Sequence, residues 1–330
     1  VVSAQTSFTF GFPYQNREAN ARYIFTSDAT SISVQAINDT LQNALLNTPG
    51  GFHALGLVVD GVNFGSGFQL GISIGNQATV RLSGWAAGTH TFEIVDGQRY
   101  IPGGVKHGTP AIYFEVPHGS SMSIASPTAP AKRIVVVGDS LSSGQVITTV
   151  GHAAPYDAWP MVMRANVLAS GSGSWGGARV INDSLAGFEW RTWASDPLRR
   201  AALIAQCDGT VSNLLIIFLG VNDYSLNRAA ATFSADIATV LDNFHADVPG
   251  ASVAVCRIPE FNTTPNAAGL TPNGYNLLID SAVSTRTAFA FTIDLSTTLT
   301  LVTDYASDNI HPNSTGMAKL EPAIRAALGY

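Results

Sequence analysis

The sequence predicts two domains: an all-β sandwich over residues 1–130, then an α/β domain with a parallel sheet over residues 131–330. Three observations predict it. The periodicity changes near residue 130, from short alternating runs to apolar strands separated by helix-length amphipathic stretches. A short, stiff segment, Ser126-Pro127-Thr128-Ala129-Pro130-Ala131, lies at the change. The chain has 330 residues, 46% of them hydrophobic. A single core usually stops growing near ~250–300 residues.

The first half is read as strands over 7–12, 22–25, 31–36, 56–59, 68–74, 78–82, 89–94 and 111–116, with Gly, Asn and Asp between them. Asp60-Gly61 and Asp96-Gly97 carry the signal of tight hairpin turns. Residues 36–46 read equally as a short helix or an irregular crossing. Several short strands with turn signals between them point to a sandwich.

In the second half, strands are expected over 134–137, 179–182, 213–219, 252–257 and 289–293. Helices are expected over 157–168, 194–205, 229–245, 273–288 and 314–327. Near-continuous apolar strands alternating with helices argue for a parallel sheet covered on both faces. Functional loops then gather at the carboxyl ends of its strands.

Composition excludes some classes and leaves others open. Only 12% of residues are charged and the formal net charge is −6, with no Lys/Arg cluster, so a nucleic-acid footprint is not supported. No apolar run reaches the ~20 residues of a membrane-spanning helix. A hydroxyl-rich, weakly charged surface suggests an extracellular protein, although no signal-peptide pattern is visible. Cys207 and Cys256 are read as two buried free thiols. Two cysteines without histidine at ligand spacing offer no metal site, and no cofactor is expected.

Polar clusters follow the predicted strands. Gly138-Asp139-Ser140-Leu141 follows the first, Asn182 to Gly187 the second and Gly220-Val221-Asn222-Asp223 the third. Asp308-Asn309-Ile310-His311-Pro312 lies between the last strand and the last helix. A serine hydroxyl needs a base to take its proton, and imidazole, with an ordinary pKa of ~6.5, both accepts and returns one near neutrality. Ser140 is therefore the candidate nucleophile and His311 the base, with Asp308 three residues earlier to hold the imidazole. Pro312 is expected at the first position of the last helix. The backbone N–H groups of Ser140 and Gly187 and the side chain of Asn222 are candidate donors to an oxyanion. Asp139 and Asp223 are read as structural residues bonding backbone.

These clusters resemble the four blocks of the SGNH (GDSL) hydrolase superfamily, in order, over roughly residues 133–330. The resemblance implies a flavodoxin-like three-layer αβα domain, a metal-independent acyl-enzyme mechanism and ester substrates. Ser184 departs from the pattern, standing where a glycine is more usual. The first half more loosely resembles the jelly-roll sandwiches that precede this domain in some carbohydrate esterases. Val58-Val59-Asp60-Gly61 and Gly88-Thr89-His90-Thr91-Phe92-Glu93-Ile94 carry that likeness.

Trp190, Trp193, Phe261 and His152 are candidate substrate contacts, with core packing as the alternative for the aromatics. No other histidine shows an acidic partner at triad-like spacing near a sheet edge. The expected activity is hydrolysis of short acyl esters, acetyl above all, on a carbohydrate. The alternatives are a lipase- or thioesterase-like hydrolase and a non-catalytic glycan-binding module. The expected partner is an acylated small molecule or polysaccharide, with neither nucleic acid nor membrane.

Overall fold

The computed structural model describes residues 6–10, 22–37, 52–60, 62–63, 68–71, 77–100, 111–117, 119–124, 132–143, 158–170, 174–184, 187–207, 209, 211–301 and 303–329. It divides into two compact units at Thr128/Ala129. The segment 36–46 lies largely outside the described residues, as do His152, His107 and His118.

The first unit is β throughout its described residues. Its strands are β1 (Thr6–Phe10), β2 (Arg22–Ser27), β3 (Ser31–Ile37), β4 (Phe52–Val59), β5 (Val62–Asn63), β6 (Phe68–Gly71), β7 (Gln77–Ser83), β8 (His90–Tyr100), β9 (Ala111–Val116) and β10 (Met122–Ile124). They form two antiparallel sheets, β1-β9-β3-β7 and β10-β2-β8-β4-β5, with β6 also on β4. One core joins the sheets: Phe25, Leu57, Phe92 and Ile94 come from one, and Ile32, Val34 and Val116 from the other. Ile32 and Val34 stand two residues apart, as do Phe92 and Ile94, as the period of two requires.

The two Asp-Gly signals have different outcomes. Asp60 turns the chain between β4 and β5 with φ +50°, in the left-handed region. Asp96-Gly97 makes no turn, because β8 runs through it to Tyr100. The register slips there instead: His53 faces Arg99 but Leu55 faces Asp96, so β8 carries an extra residue. A glycine inside a strand that accommodates a bulge leaves the same sequence mark as one in a hairpin.

The second unit has five strands: β11 (Lys132–Gly138), β12 (Arg179–Asn182), β13 (Ser212–Phe218), β14 (Ser252–Cys256) and β15 (Ala290–Ile293). All pairings are parallel, in the order β12-β11-β13-β14-β15. The strand order reverses between β11 and β13, where doubly wound sheets place their ligand crevice. β13 is buried along six of its seven residues, which explains its unbroken apolar run.

The helices are α1 (Ser140–Ser143), α2 (Trp159–Ser170), α3 (Trp190–Ser195), α4 (Pro197–Gln206), α5 (Val221–Ser225), α6 (Ala230–Asp247), α7 (Pro272–Ser284) and α8 (Ser314–Ala327). α2 packs with α8, and α3 and α7 both pack with α6, giving two helical layers. The single helix expected over 194–205 is two. Pro197 drives the residue before it out of helical geometry. Asp196 is accordingly extended, at φ −106° and ψ 97°, and caps α4 by accepting from the N–H groups of Leu198 and Arg199.

Pro312 is also displaced from its expected place. The cap of α8 is Asn313, whose side chain accepts from Gly316 N–H, so Pro312 stands just outside the helix and bridges to Tyr305. Both cysteines are free; Cys256 is buried and Cys207 only partly so. Burial pushes the Cys207 thiol up to about 11.

Candidate active site

Ser140 begins α1 directly after β11, and only 4% of it is exposed. Glycine is required just before this turn. A Cβ on Gly138 would lie 2.4 Å from Ser142 Oγ and 2.9 Å from Ser184 Oγ. The turn is held by Asp139, whose backbone carbonyl accepts from Ser142 and Ser143 N–H at 3.1 and 2.9 Å. Asp139 Oδ1 accepts from Leu141 N–H at 2.9 Å. Below it, Asn182 donates to the carbonyl of Ser142 at 2.9 Å and Trp159 Nε1 to its hydroxyl at 3.2 Å.

His311 reaches this turn from the loop before α8. Its Nε2 lies 2.8 Å from Ser140 Oγ, and its Nδ1 lies 2.6 Å from Asp308 Oδ2. A carboxylate at Nδ1 keeps the proton of the neutral ring there, leaving Nε2 to accept from the hydroxyl. Asp308 is itself fixed: its Oδ1 accepts from the N–H groups of both Ile310 and His311 at 3.0 Å. Asn309, between them, takes φ +55° to close this tight turn. Burial raises the Asp308 carboxyl, but bonds from His311 and the two backbone N–H groups outweigh it and hold the group below its ordinary value. The loop is braced by Ala306 N–H on the His311 carbonyl at 2.8 Å and by Asn313 Nδ2 on the carbonyls of Thr303 and Tyr305.

Two further elements carry the other expected donors. Gly187 has φ +78°, where a side chain is disfavoured. Asn222 is the second residue of α5, after β13, and its Nδ2 donates to Phe188 O at 2.9 Å and to Asp139 Oδ2 at 3.3 Å. Asp139 is fully buried, and burial pushes its carboxyl up to about 7, against the pull of Leu141 N–H and with a push from Asp223. Burial likewise pushes Asp223 up to about 7, although it accepts from Trp190 N–H at 3.3 Å. Asp223 thus satisfies the first N–H of α3 across the loop, while Glu189 is the cap of that helix.

The aromatic assignments divide. Trp190 is fully buried and Trp193 is 4% exposed, both within the core. Trp193 meets the Phe188 ring edge-on at 6.2 Å, and the structure does not present either ring as a substrate contact. Phe261 also belongs to the core, at 5% exposed, but it borders a cavity. With Tyr224, Asn262, Leu301, Asn309 and Ile310 it lines a cavity of about 530 Å³ that reaches Asp308. The loop after β14 is pinned for this: Tyr224 donates to Thr264 O at 2.8 Å, and Asn262 donates to Tyr224 Oη at 3.0 Å. Tyr224, Leu301 and Asn309 escaped the sequence reading, although Tyr224 and Asn309 sit beside or inside the motifs themselves.

A second His–Asp pair, 30 residues apart in the chain, occurs in the first unit. His90 Nδ1 lies 2.6 Å from Asp60 Oδ2, but its Nε2 faces the carbonyl of Ala86 at 2.9 Å. Both ring nitrogens face acceptors, an arrangement that favours the protonated ring and clamps a turn. The Asp60 bond, followed by that of Ala86, raises its pKa. No group of three or more His, Cys, Asp or Glu among the described residues is placed to hold a metal. No helix among them is long and apolar enough to cross a membrane.

The model of the GDSL-like lipase/acylhydrolase family matches residues 136–319, a segment containing every residue of the cluster. No curated protein sequence matches the chain. Among solved structures, a family two carbohydrate esterase from Clostridium thermocellum in complex with cellohexaose is similar at TM-score 0.65 and 14% identity, over 96% of this chain and 98% of that one. A carbohydrate esterase family 2 enzyme with a carbohydrate-binding domain, from Corynascus thermopiles (Myceliophthora fergusii), is similar at TM-score 0.62 and 18% identity, over 98% and 100%. An acetyl xylan esterase from Butyrivibrio proteoclasticus is similar at TM-score 0.59 and 14% identity, over 99% and 96%. At such identities the likeness is one of fold.

Proposed function

Because this chain belongs to the GDSL-like lipase/acylhydrolase family and is a carboxylic ester hydrolase of the SGNH type, we propose that it deacylates short-chain esters of carbohydrates through an acyl-Ser140 intermediate. The observation that carries the mechanism is the continuous line from Ser140 Oγ to His311 Nε2 at 2.8 Å and from His311 Nδ1 to Asp308 at 2.6 Å.

The steps follow from that line. Nε2 takes the Ser140 proton as Oγ attacks the ester carbonyl, and Asp308 stabilises the imidazolium formed. The oxyanion is met by the N–H groups of Ser140 and Gly187 and by Asn222. The longer of the two Asn222 bonds, at 3.3 Å to Asp139, is the one it exchanges for the oxyanion. As the tetrahedral adduct collapses, Nε2 returns the proton to the leaving alkoxide. Water then gives a proton to Nε2 and attacks the acyl carbon. The second collapse frees the acid and Ser140.

The cavity beside Asp308 supports a neutral, hydroxyl-rich alcohol. Its walls combine the largely buried rings of Tyr224 and Phe261, the side chains of Leu301 and Ile310 and the amides of Asn262 and Asn309, with Asp308 already committed to His311. The fixed amides beside the catalytic histidine loop suit a hydroxyl-bearing alcohol. The fold shared with family two carbohydrate esterases supports the same reading. The first unit is read as a jelly-roll-like accessory domain, and the protein as secreted, since polymeric carbohydrate is met outside the cell.

The test offers acetylated xylan, acetylated monosaccharides and p-nitrophenyl esters of rising chain length to the wild type and to Ser140→Ala. Release of acetate from the carbohydrates, lost in Ser140→Ala, is expected. A marked preference for long acyl chains overturns the carbohydrate reading in favour of a lipase- or thioesterase-like one.

A further inference from the structure

We infer that Arg199 is a positioning residue that sets the oxyanion site by gripping both ends of the segment carrying Gly187. The inference rests on the esterase reading above. Asp183 and Phe188 flank Gly187 in sequence, and one guanidinium meets both. Arg199 NH1 lies 3.5 Å from Asp183 Oδ1, and its guanidinium carbon lies 4.3 Å above the ring of Phe188. Trp193 closes in at 5.1 Å.

The surroundings make this grip firm. The side chains of Arg199 and Asp183 are only 10% and 6% exposed, so water and salt screen the pair weakly. Arg199 sits in the first turn of α4, where its N–H donates to the cap Asp196 at 3.1 Å. Asp183 N–H donates to Val136 O at 2.7 Å, which ties that end to β11, the strand that delivers Ser140. At the other end, the Phe188 carbonyl accepts from Asn222 Nδ2 at 2.9 Å. A shift of Phe188 thus moves two donors together, the Gly187 N–H and the Asn222 amide.

A guanidinium suits the place because it is planar: it stacks on an aromatic face while its edge meets a carboxylate. An ammonium keeps the charge but not the stacking. A donor misplaced by about 1 Å costs on the order of 10²-fold in rate.

The experiment measures kcat and KM for p-nitrophenyl acetate, with circular dichroism and Tm, in the wild type, Arg199→Lys and Phe188→Leu. Each folded variant is expected to lose roughly 10- to 100-fold in kcat with KM changed less than about threefold, because the lost interaction is one of the transition state. A residue that only supports the fold lowers Tm and leaves kcat unchanged below the melting transition. A folded Arg199→Lys with kcat within about threefold of wild type overturns the inference. Should that variant not fold, Phe188→Leu, which keeps the Arg199–Asp183 pair, decides by the same criterion. An active wild type with unaffected variants overturns this inference alone. A wild type inert to every ester overturns the esterase reading and takes this one with it.

Discussion

Asn222 Nδ2 and Asp139 Oδ2 meet at 3.3 Å, joining the proposed oxyanion donor to a fully buried carboxyl one residue before Ser140. Asp139 and, through its own burial, Asp223 are both pushed from 3.8 up to about 7. Between those values the folded protein holds protons that the unfolded chain has released. Their contribution to stability is therefore complete below the unfolded value and is lost as pH rises through the folded one. In melts taken between about pH 5 and pH 8, Asp223→Asn is expected to gain a few degrees in Tm relative to wild type as pH rises. A Tm difference that is flat with pH, or runs the other way, contradicts this.

Asn222→Ala removes the side-chain donor while leaving Ser140, His311 and Asp308 in place. A fall in kcat on the order of 10²–10³, with KM little changed, is expected from steady-state kinetics on p-nitrophenyl acetate. An equal effect on KM instead assigns Asn222 to ground-state binding.

Gly138→Ala places a methyl 2.4 Å from Ser142 Oγ, on the turn that presents Ser140. Overpacking of this kind costs about 1–3 kcal/mol. Thermal melts and kinetics should show a lowered Tm together with a kcat reduced at least roughly tenfold, since the nucleophile moves with the turn. A variant with wild-type values shows that the turn yields without strain.

His311→Ala deprives Ser140 of its base, and most of the activity should be lost. Asp308→Asn keeps the base but loses the anion 2.6 Å from Nδ1. It is expected to be roughly 10- to 100-fold less damaging than His311→Ala, because the carboxylate orients the ring without taking its proton. Equal losses in the two variants, compared by single-turnover release of p-nitrophenol, contradict this ordering.

Much of the second unit was legible in the sequence. β12 and α8 have the bounds that the apolar pattern predicts, because each is a short element with clear flanking signals. The departures are equally local in origin. Asp96-Gly97 reads as a turn until pairing shows the strand passing through it with a bulge. The 194–205 stretch keeps its helical period across Asp196 and Pro197, so only the backbone reveals the break. Trp190 and Trp193 are apolar beside a motif, and no sequence pattern tells whether such a ring faces a cleft or the core.

Ser140 and His311 stand 171 residues apart, and the sequence alone named both, because acyl transfer calls for those residue types and each ends or follows a predicted strand. The order of strands and the placing of polar residues at their carboxyl ends are written locally, in apolar runs, prolines and caps. Only the tertiary structure decided which groups meet and how much water they keep. The grip of Arg199 on Asp183 and Phe188, the turn that fixes Asp308 and the raised carboxyls of Asp139 and Asp223 all depend on it. Burial and long-range contact belong to a residue's neighbours in space, and those neighbours come from several strands and helices at once.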